Sequence, residues 1–592
     1  MTSSSRAEPV LVGGIAFVAI AVPTLLAFNV PPSATLLNQA ASLGGWGVLA
    51  LALSATVPLS AGPRRDALPS LAASTALLIL VLAALAAAAV SGLPWPLALS
   101  SAGMLLAGVL TLAIGVLVGR SVEQRDAVYQ AFCVALFVAG LLSLVVASVQ
   151  SFAPQWADGD WIARPATPGR AGGNLRQPNH LSSLLVWSLA ALAYLHEACV
   201  ERRRGLQPGM GRAASMLAMG ALTLGVVLTV SRTGMVCVLL LAVWGLVDRS
   251  LSRFTRLLLL LTPVFYLLSW MLATTGVQTF AGDSQIHRSD PSSSRFGIWA
   301  NALSMVAQHP WFGVGWGEFN FAWTLTPFPG RPGAFFDHTH NLPMQLLVEL
   351  GIPLASVVMA LLLWALWKAF AASRRAASPN VLTQRSALVM VMMMGVHSLL
   401  EYPLWYAYFL LPTLFSLGIC LGFTGQSLDA VASAKPRMAR ASAVLGIGSA
   451  LLILGAIVMV ADYMRVVAIF SPPQNAAPLP ERIADGQHSW LFAHHADYAA
   501  GTIAEHPGEA LSSFKRSTHY LLDTRLMMAW AKALEESGDT DRARYVAQRL
   551  REFNNPASDE FFAPCALPRA EATTPPFQCL QPGRALSYED FR

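Results

Sequence analysis

Charge is what this 592-residue chain has little of: Asp, Glu, Lys and Arg make up 12% of it, against about 25% in an ordinary soluble domain. That shortage argues against a string of soluble domains. Cysteine is scarce as well, with six residues and no CxxC spacing, and Cys133, Cys199, Cys237 and Cys420 fall in or beside apolar runs. Also missing are a Walker-type phosphate loop, a Rossmann glycine pattern and the zinc-peptidase HExxH. The outward loops hold few acids beyond Asp158, Asp160, Asp283, Asp290 and Asp337. Neither a metal nor a cofactor is therefore expected. The charge of +6 and pI near 9.1 come from basic residues scattered between apolar runs, a pattern that speaks of membrane topology and not of nucleic acid.

What is present in excess is apolar length, 55% of the chain. Stretches near ~20 residues, the length that spans a bilayer, fall at about 9–28, 40–60, 69–91, 97–119, 127–148, 180–198, 213–230, 234–248, 254–274, 343–367, 386–400, 404–423 and 441–461. The expected fold is an all-α polytopic membrane protein with about thirteen transmembrane helices over residues 1–461. Met1 to Asn29 shows no convincing cleavage site and reads as a retained first span. Threaded with the N-terminus inside, the basic clusters fall in cytoplasmic segments. The outward segments before residue 462 keep Arg164, Arg170, Arg176, Arg232, Arg288, Arg295 and Arg331, the asymmetry that sets orientation. An odd number of spans then puts the C-terminus outside.

Two outward loops are long, about 149–179 and 275–342, and long ordered loops usually carry function. Arginine and tryptophan concentrate there, with Trp156, Trp161, Trp299, Trp311, Trp316 and Trp323. That pairing suits an anionic, partly apolar or sugar-bearing ligand. Residues 462–592 form a polar C-terminal domain in which Leu526–Leu534 and Ala543–Ala547 flank Gly538-Asp539, the pattern of a helical hairpin that needs neighbours to bury its face. If this tail lies outside the cytoplasm, Cys565 and Cys579 could pair as a disulfide.

Four clusters could carry chemistry. Phe336-Asp337-His338-Thr339-His340-Asn341 closes the longer loop, and a histidine there can accept a proton or orient a hydroxyl. The plainer reading is an interfacial histidine bonded to a loop carbonyl. Ser231-Arg232-Thr233-Gly234 sits between two apolar runs, so Arg232 either faces a polar cavity, where a guanidinium matches phosphate oxygens, or snorkels. Arg295 opens a stretch, Ser294 to Gln308, that reads as an amphipathic helix. It is a second phosphate clamp or merely a helix cap. Gly173-Asn174-Leu175-Arg176-Gln177-Pro178-Asn179-His180 ends the shorter loop as a polar collar for sugar or phosphate, with helix capping by Asn179 as the alternative. His397 and Glu401 are four residues apart and pair structurally, or Glu401 neutralises an arginine.

His340-Asn341, followed at a distance by Gly351 and Leu354, resembles the signature of the O-antigen ligase and Wzy-C polymerase superfamily, and the Arg232 and Arg295 segments resemble its other landmarks. One departure is Ile352-Pro353 followed by Leu354, where many ligases carry a second glycine three residues after the first. The Gly173–His180 segment, His338-Thr339-His340, Glu401-Tyr402-Pro403-Leu404-Trp405 and the outward tail are most similar to bacterial protein O-oligosaccharyltransferases of the pilin-glycosylating type. The resemblance implies a GT-C-like membrane enzyme of the bacterial inner membrane, its site facing the periplasm. Such an enzyme transfers a preassembled glycan from undecaprenyl diphosphate to an acceptor hydroxyl of a pilin-like protein, without a metal or a nucleotide sugar. It implies catalytic roles for His340, Arg232 and Arg295, and substrate binding by Arg176, Gln177, Asn179, His338, Asn341 and Glu401. Rival acceptors are a lipid A-core sugar and a second lipid-linked glycan. A multispan transporter is the rival from another class, opposed by the gathering of polar features at one face and the absence of an evident inverted repeat.

Overall fold

Residues 4–57, 64–201, 208–276, 280–281, 295–375, 381–423, 435–566 and 575–592 are described by the computed structural model. Arg202 to Arg204, Asp283, Arg288, Asp290 and Ser294 lie outside the described residues, and so do the side chains of Arg6, Arg64, Arg65, Lys435, Arg437 and Arg440. Among the described residues every regular element is helical. The helices are α1 (Ser4–Leu25), α2 (Leu36–Thr56), α3 (Arg64–Val90), α4 (Trp95–Arg120), α5 (Arg125–Phe152), α6 (Pro178–His196), α7 (Pro208–Leu228), α8 (Arg232–Val247), α9 (Arg253–Leu260), α10 (Thr262–Gly276), α11 (Arg295–Gln308), α12 (Phe319–Leu325), α13 (Leu342–Arg375), α14 (Val381–Ser398), α15 (Ala407–Gly422) and α16 (Lys435–Phe470). A polar set follows: α17 (Leu479–Gly486), α18 (Ala493–Ile503), α19 (Leu511–Ser517), α20 (Thr524–Glu536), α21 (Thr540–Glu552) and α22 (Asp559–Phe562).

Nine helical spans among the described residues are long and apolar enough to cross a membrane, so the chain is a polytopic membrane protein. Shorter apolar helices occupy Leu11–Leu25, Arg232–Val247 and Ala407–Gly422. The thirteenth apolar stretch is α14, whose Gln384, Arg385 and His397 dilute its apolar character. The stretch expected as one span at 254–274 is among the nine, as Arg253–Thr275, and runs through α9 and α10 with Leu261 in helical conformation between them.

The chain forms two compact units. The first comprises residues 1–77, 106–288 and 360–458. Its core holds Trp46, Phe132 and Phe415, with ring centroids 5.3–6.4 Å apart, and the Tyr129 hydroxyl bonds Ser386 at 3.0 Å. In a membrane, apolar side chains gain little from meeting one another instead of lipid, so helices associate where backbones approach closely. Gly115 and Gly119 of α4 lie against Gly418 and Gly422 of α15, and a Cβ on any of the four would strike backbone atoms of the facing helix. A Cβ on Gly140 of α5 would instead strike the Ser188 side chain of α6.

The second unit comprises residues 78–105, 289–359 and 459–592. It joins the longer loop to the polar tail around one core: Ile298, Ala302 and Met305 from α11, Phe319, Phe321 and Trp323 from α12, Met527, Trp530 and Leu534 from α20, and Val546 and Leu550 from α21. The hairpin read in the sequence forms as α20 and α21. Asp523 caps the first through Leu526 N at 2.8 Å, Gly538 turns with φ +85°, and Asp539 caps the second. Because a lone hairpin cannot cover its own apolar face, α20 packs on α18 and the 507–510 turn and α21 on α12, within the core that α11 shares. Cys565 and Cys579 are disulfide-bonded.

Helix α13 breaks at Gly351, where φ is +73°. Pro353 has no amide hydrogen and the Ile352 amide turns to Pro310 O at 2.7 Å, leaving the Val348 and Glu349 carbonyls without their helical donors. Val314 N and Gly315 N donate to them, at 2.9 and 3.0 Å. The Ile352-Pro353 departure from the ligase pattern thus accompanies a docked loop. A side chain at Gly351 would meet the Trp311 and Phe312 backbone, which explains the glycine.

Candidate functional site

The candidate residues fall into two sets, one within each unit. In the first unit the shorter loop is fastened by two amides. Gln150 accepts from Gly172 N and Gly173 N (3.1 and 2.8 Å) and donates to Ala163 O (2.6 Å). Asn174 donates to Leu25 O and Trp161 O and accepts from Ala163 N. This leads the chain through Gly173 and Arg176, with φ of +62° and +58°, into α6. The cap of α6 is Gln177, whose side chain accepts from His180 N at 2.8 Å, and Pro178 occupies the first turn. The capping role weighed for Asn179 therefore belongs to Gln177.

Asn179 is instead the hub of a polar cluster. Its amide donates to Glu401 at 2.9 Å and accepts from the Ser231 hydroxyl at 2.8 Å, and Ser182 donates to Ser231 at 3.0 Å. Ser231 also caps α8, accepting from Gly234 N at 3.2 Å, which makes Arg232 the first residue of that helix. Arg232 is exposed. Its turn is braced from the shorter loop by Ala171 N to Leu228 O (2.9 Å) and Arg170 Nε to Thr229 O (3.1 Å). The structure thus brings Asn179, Glu401 and the start of α8 together. Arg176 is engaged elsewhere, donating to the carbonyls of Ala27 and Ala34. His397, expected near Glu401 on one helical face, lies in the last turn of α14, bonds Ser183 through Nδ1 at 2.6 Å, and receives Glu401 N at its carbonyl in the turn beyond the helix.

In the second unit the Phe336–Asn341 segment is held at nearly every residue. The Phe336 carbonyl accepts from Asn320 at 2.8 Å. Thr339, fully buried, donates its amide to Gln345 Oε1 at 2.7 Å and its hydroxyl to Asn341 O at 2.9 Å, and its carbonyl accepts from the Trp299 indole at 3.0 Å. Gln345 in turn donates to Glu349 at 3.0 Å. His340 sits in the left-handed region, φ +54°, a conformation that a side-chain-bearing residue keeps only where its surroundings impose it. Its ring stands edge-on to Phe336, 5.7 Å between centroids. His338 Nδ1 is 3.2 Å from Asp337 Oδ1. Burial pushes the Asp337 carboxyl up, but His338 and His340 outweigh it and hold the group below its usual range. Asn341 Oδ1 accepts from Met344 N at 3.0 Å, so its side chain caps α13.

Arg295 begins α11, as expected of the stretch ending at Gln308. Trp299, one turn on, ties that end of the helix to Thr339, the residue between His338 and His340. Sequence reasoning missed Gln150, Ser182, Asn320, Gln345 and Trp299 as the groups that set these positions; single amides, hydroxyls and one indole carry no spacing signal. Among the described residues no group of three His, Cys, Asp or Glu side chains is arranged to hold a metal ion.

With that geometry in view, three segments match known family models. Residues 217–359 match the O-antigen ligase family, residues 171–196 the protein glycosylation ligase family, and residues 386–564 the C-terminal part of virulence-factor membrane-bound polymerases. Arg232, Arg295, His338, His340 and Asn341 fall in the first match, Arg176, Gln177 and Asn179 in the second and Glu401 in the third. A general O-oligosaccharyltransferase of Acinetobacter baylyi is 29% identical over 364 residues, covering 57% of this chain and 58% of that protein. A ComP-specific O-oligosaccharyltransferase of the same organism is 28% identical over 257 residues, 42% of this chain and 44% of that protein. The chain therefore spans about half the length of the relatives it matches. The similarity to O-antigen ligases and protein glycosylation ligases read from the motifs is what these comparisons find.

Proposed function

We propose that this chain transfers a preassembled glycan en bloc from an undecaprenyl diphosphate carrier to Ser or Thr hydroxyls of exported proteins such as pilin, at the periplasmic face of the bacterial inner membrane. The observation that carries the reading is the tightly framed Asp337–Asn341 segment. It presents two histidines, one in a left-handed conformation, beside a helix that opens with an arginine. A glycosyl transfer from a diphosphate needs a base for the incoming hydroxyl and cations for the departing phosphates, and these are the side chains on offer. The similarity to O-oligosaccharyltransferases supports the reaction class, and the Cys565–Cys579 disulfide supports a tail in an oxidising compartment.

In the proposed step the acceptor oxygen forms a bond to the anomeric carbon while the bond from that carbon to the diphosphate oxygen breaks. Undecaprenyl diphosphate leaves, and the hydroxyl proton passes to His340. An aliphatic hydroxyl holds its proton far more tightly than imidazole does, so transfer comes late in a loose transition state. Arg232 and Arg295 stabilise the charge growing on the leaving diphosphate, where preorganised electrostatics is usually the largest contribution. A single displacement inverts the anomeric centre. Asn179 and Glu401 with Arg176, Gln177, His338 and Asn341 line the substrate region in this reading.

The O-antigen ligase and polymerase matches favour one alternative, the same donor chemistry directed at lipid A-core or at a second lipid-linked glycan. Expression in a bacterium that lacks its own ligase but makes a lipid-linked glycan, with a pilin supplied, separates the readings. Glycan on pilin is the expected result. Glycan on lipid A-core, or longer lipid-linked chains, assigns the alternative, and no transfer at all refutes both.

A further inference from the structure

Asn320 lies in α12 and is buried. Its two amide atoms face opposite parts of the second unit. Nδ2 donates to the carbonyl of Phe336, and Oδ1 accepts from the amide of Leu522, each at 2.8 Å. Phe336 is four residues ahead of His340 and packs its ring on both His340 and Trp323. Leu522 belongs to the turn between α19 and α20 in the tail and is fully buried. The Thr339 bonds come from within residues 299–345, whereas Asn320 carries the segment's register over to the tail. The neighbouring tail contacts reinforce that register: Phe335 stacks on Phe553 at 3.9 Å, and His519 bonds Glu318 at 2.8 Å while stacking on Phe321.

We infer that Asn320 is a positioning residue for His340, bracketing the histidine segment to the tail, so that the tail takes part in the transfer step. The inference rests on the glycosyl-transfer reading above. Its physical basis is that His340 keeps a strained backbone conformation only while its surroundings impose it, and that a misplacement of about 1 Å at a reacting group costs up to about a hundredfold in rate. An amide suits this bracket because it donates at one end and accepts at the other. A carboxylate of the same shape keeps the Leu522 bond but presents an acceptor to the Phe336 carbonyl, another acceptor.

The test uses the full chain in lipid nanodiscs, a short polyprenyl-diphosphate-linked oligosaccharide as donor and a pilin as acceptor. Asn320→Asp and Asn320→Ala are compared with Tyr545→Phe. That last variant removes a different bond between tail and loop, from the Tyr545 hydroxyl to Leu325 O. The expected result is that both Asn320 variants lower kcat about tenfold or more, leave the KM for donor and acceptor within about twofold, and speed amide exchange across residues 334–341. Tyr545→Phe should leave kcat within about twofold. Wild-type kcat in both Asn320 variants, an equal loss in Tyr545→Phe, or a change confined to KM would overturn the role. Should the wild-type chain transfer no glycan, the functional reading falls, and the exchange measurement still decides the bracket: unchanged exchange at 334–341 in Asn320→Ala overturns it.

Discussion

The indole of Trp299 donates to the carbonyl of Thr339 at 3.0 Å, joining the first turn of α11 to the segment that carries His338 and His340. One hydrogen bond thereby relates Arg295 and His340, which are 45 positions apart in the sequence. Replacing Trp299 by Phe keeps most of the ring and removes the donor. One neutral hydrogen bond contributes about 0.5–1.5 kcal/mol, so glycan transfer should fall by up to about tenfold with the folded fraction unchanged. Initial rates measured beside the melting temperature check this, and an undiminished rate would detach α11 from the site.

His340→Ala should lower transfer by about a hundredfold or more, the usual contribution of a positioned proton acceptor, while the protein still inserts and folds. Quantitative glycoprotein mass spectrometry of the acceptor, normalised to membrane-inserted enzyme, provides the measurement. Transfer at the wild-type rate removes His340 from the reaction.

Arg232→Lys and Arg295→Lys keep the charge but replace a planar fork with a point donor. Each should reduce turnover by about tenfold or more if both guanidinia meet diphosphate oxygens in the transition state. The double variant should lose less than the product of the single losses, because the two act on one leaving group. Independent, fully multiplicative losses would argue that the two arginines do not share a ligand.

At Gly115 and Gly418 the α4 and α15 backbones are too close for a side chain. Gly115→Leu should therefore separate the helices and cost about 1–3 kcal/mol or more. A lowered melting temperature in detergent, with less folded protein recovered, would show it. A substitution tolerated without loss would mean the close approach is dispensable.

Low pH should loosen the tail. Burial pushes His494 well below the ordinary imidazole range, with His495 and Arg516 adding to it, and burial holds His495 at about 4. Both are therefore neutral when folded, whereas the unfolded segment takes up protons below about pH 6.5. Their contribution to stability is complete above that pH and is lost as pH falls towards 4. Amide exchange over residues 490–522 should accelerate across this window, and constant protection from pH 7 to 4 would contradict it.

Much of the fold was legible because lipid imposes long apolar runs and the tail does not have them. Each apolar stretch met in the sequence carries helix, and the α20–α21 hairpin forms where Gly538-Asp539 implied a turn. Less legible was the break in α13. The apolar signal runs through it, and the cause lies in backbone hydrogen bonds to the 310–315 segment. Locally, Asn179 suits either a polar collar or a helix cap, yet Gln177 takes the cap and Asn179 reaches Ser231 and Glu401. Which of two neighbouring amides caps a helix depends on what each can reach in three dimensions.

By itself the sequence determined that the chain spans a membrane, where its helices run, and which histidines and arginines stand at the ends of apolar runs, because hydrophobic length and charge are properties a linear chain carries. Tertiary structure alone decided that the longer loop and the tail share a core, that four glycines let α4 and α15 touch, and that Trp299, Gln345 and Asn320 frame His340. Those outcomes depend on hydrogen bonds and backbone contacts between residues remote in the chain, each too small and too specific to leave a pattern in composition or spacing.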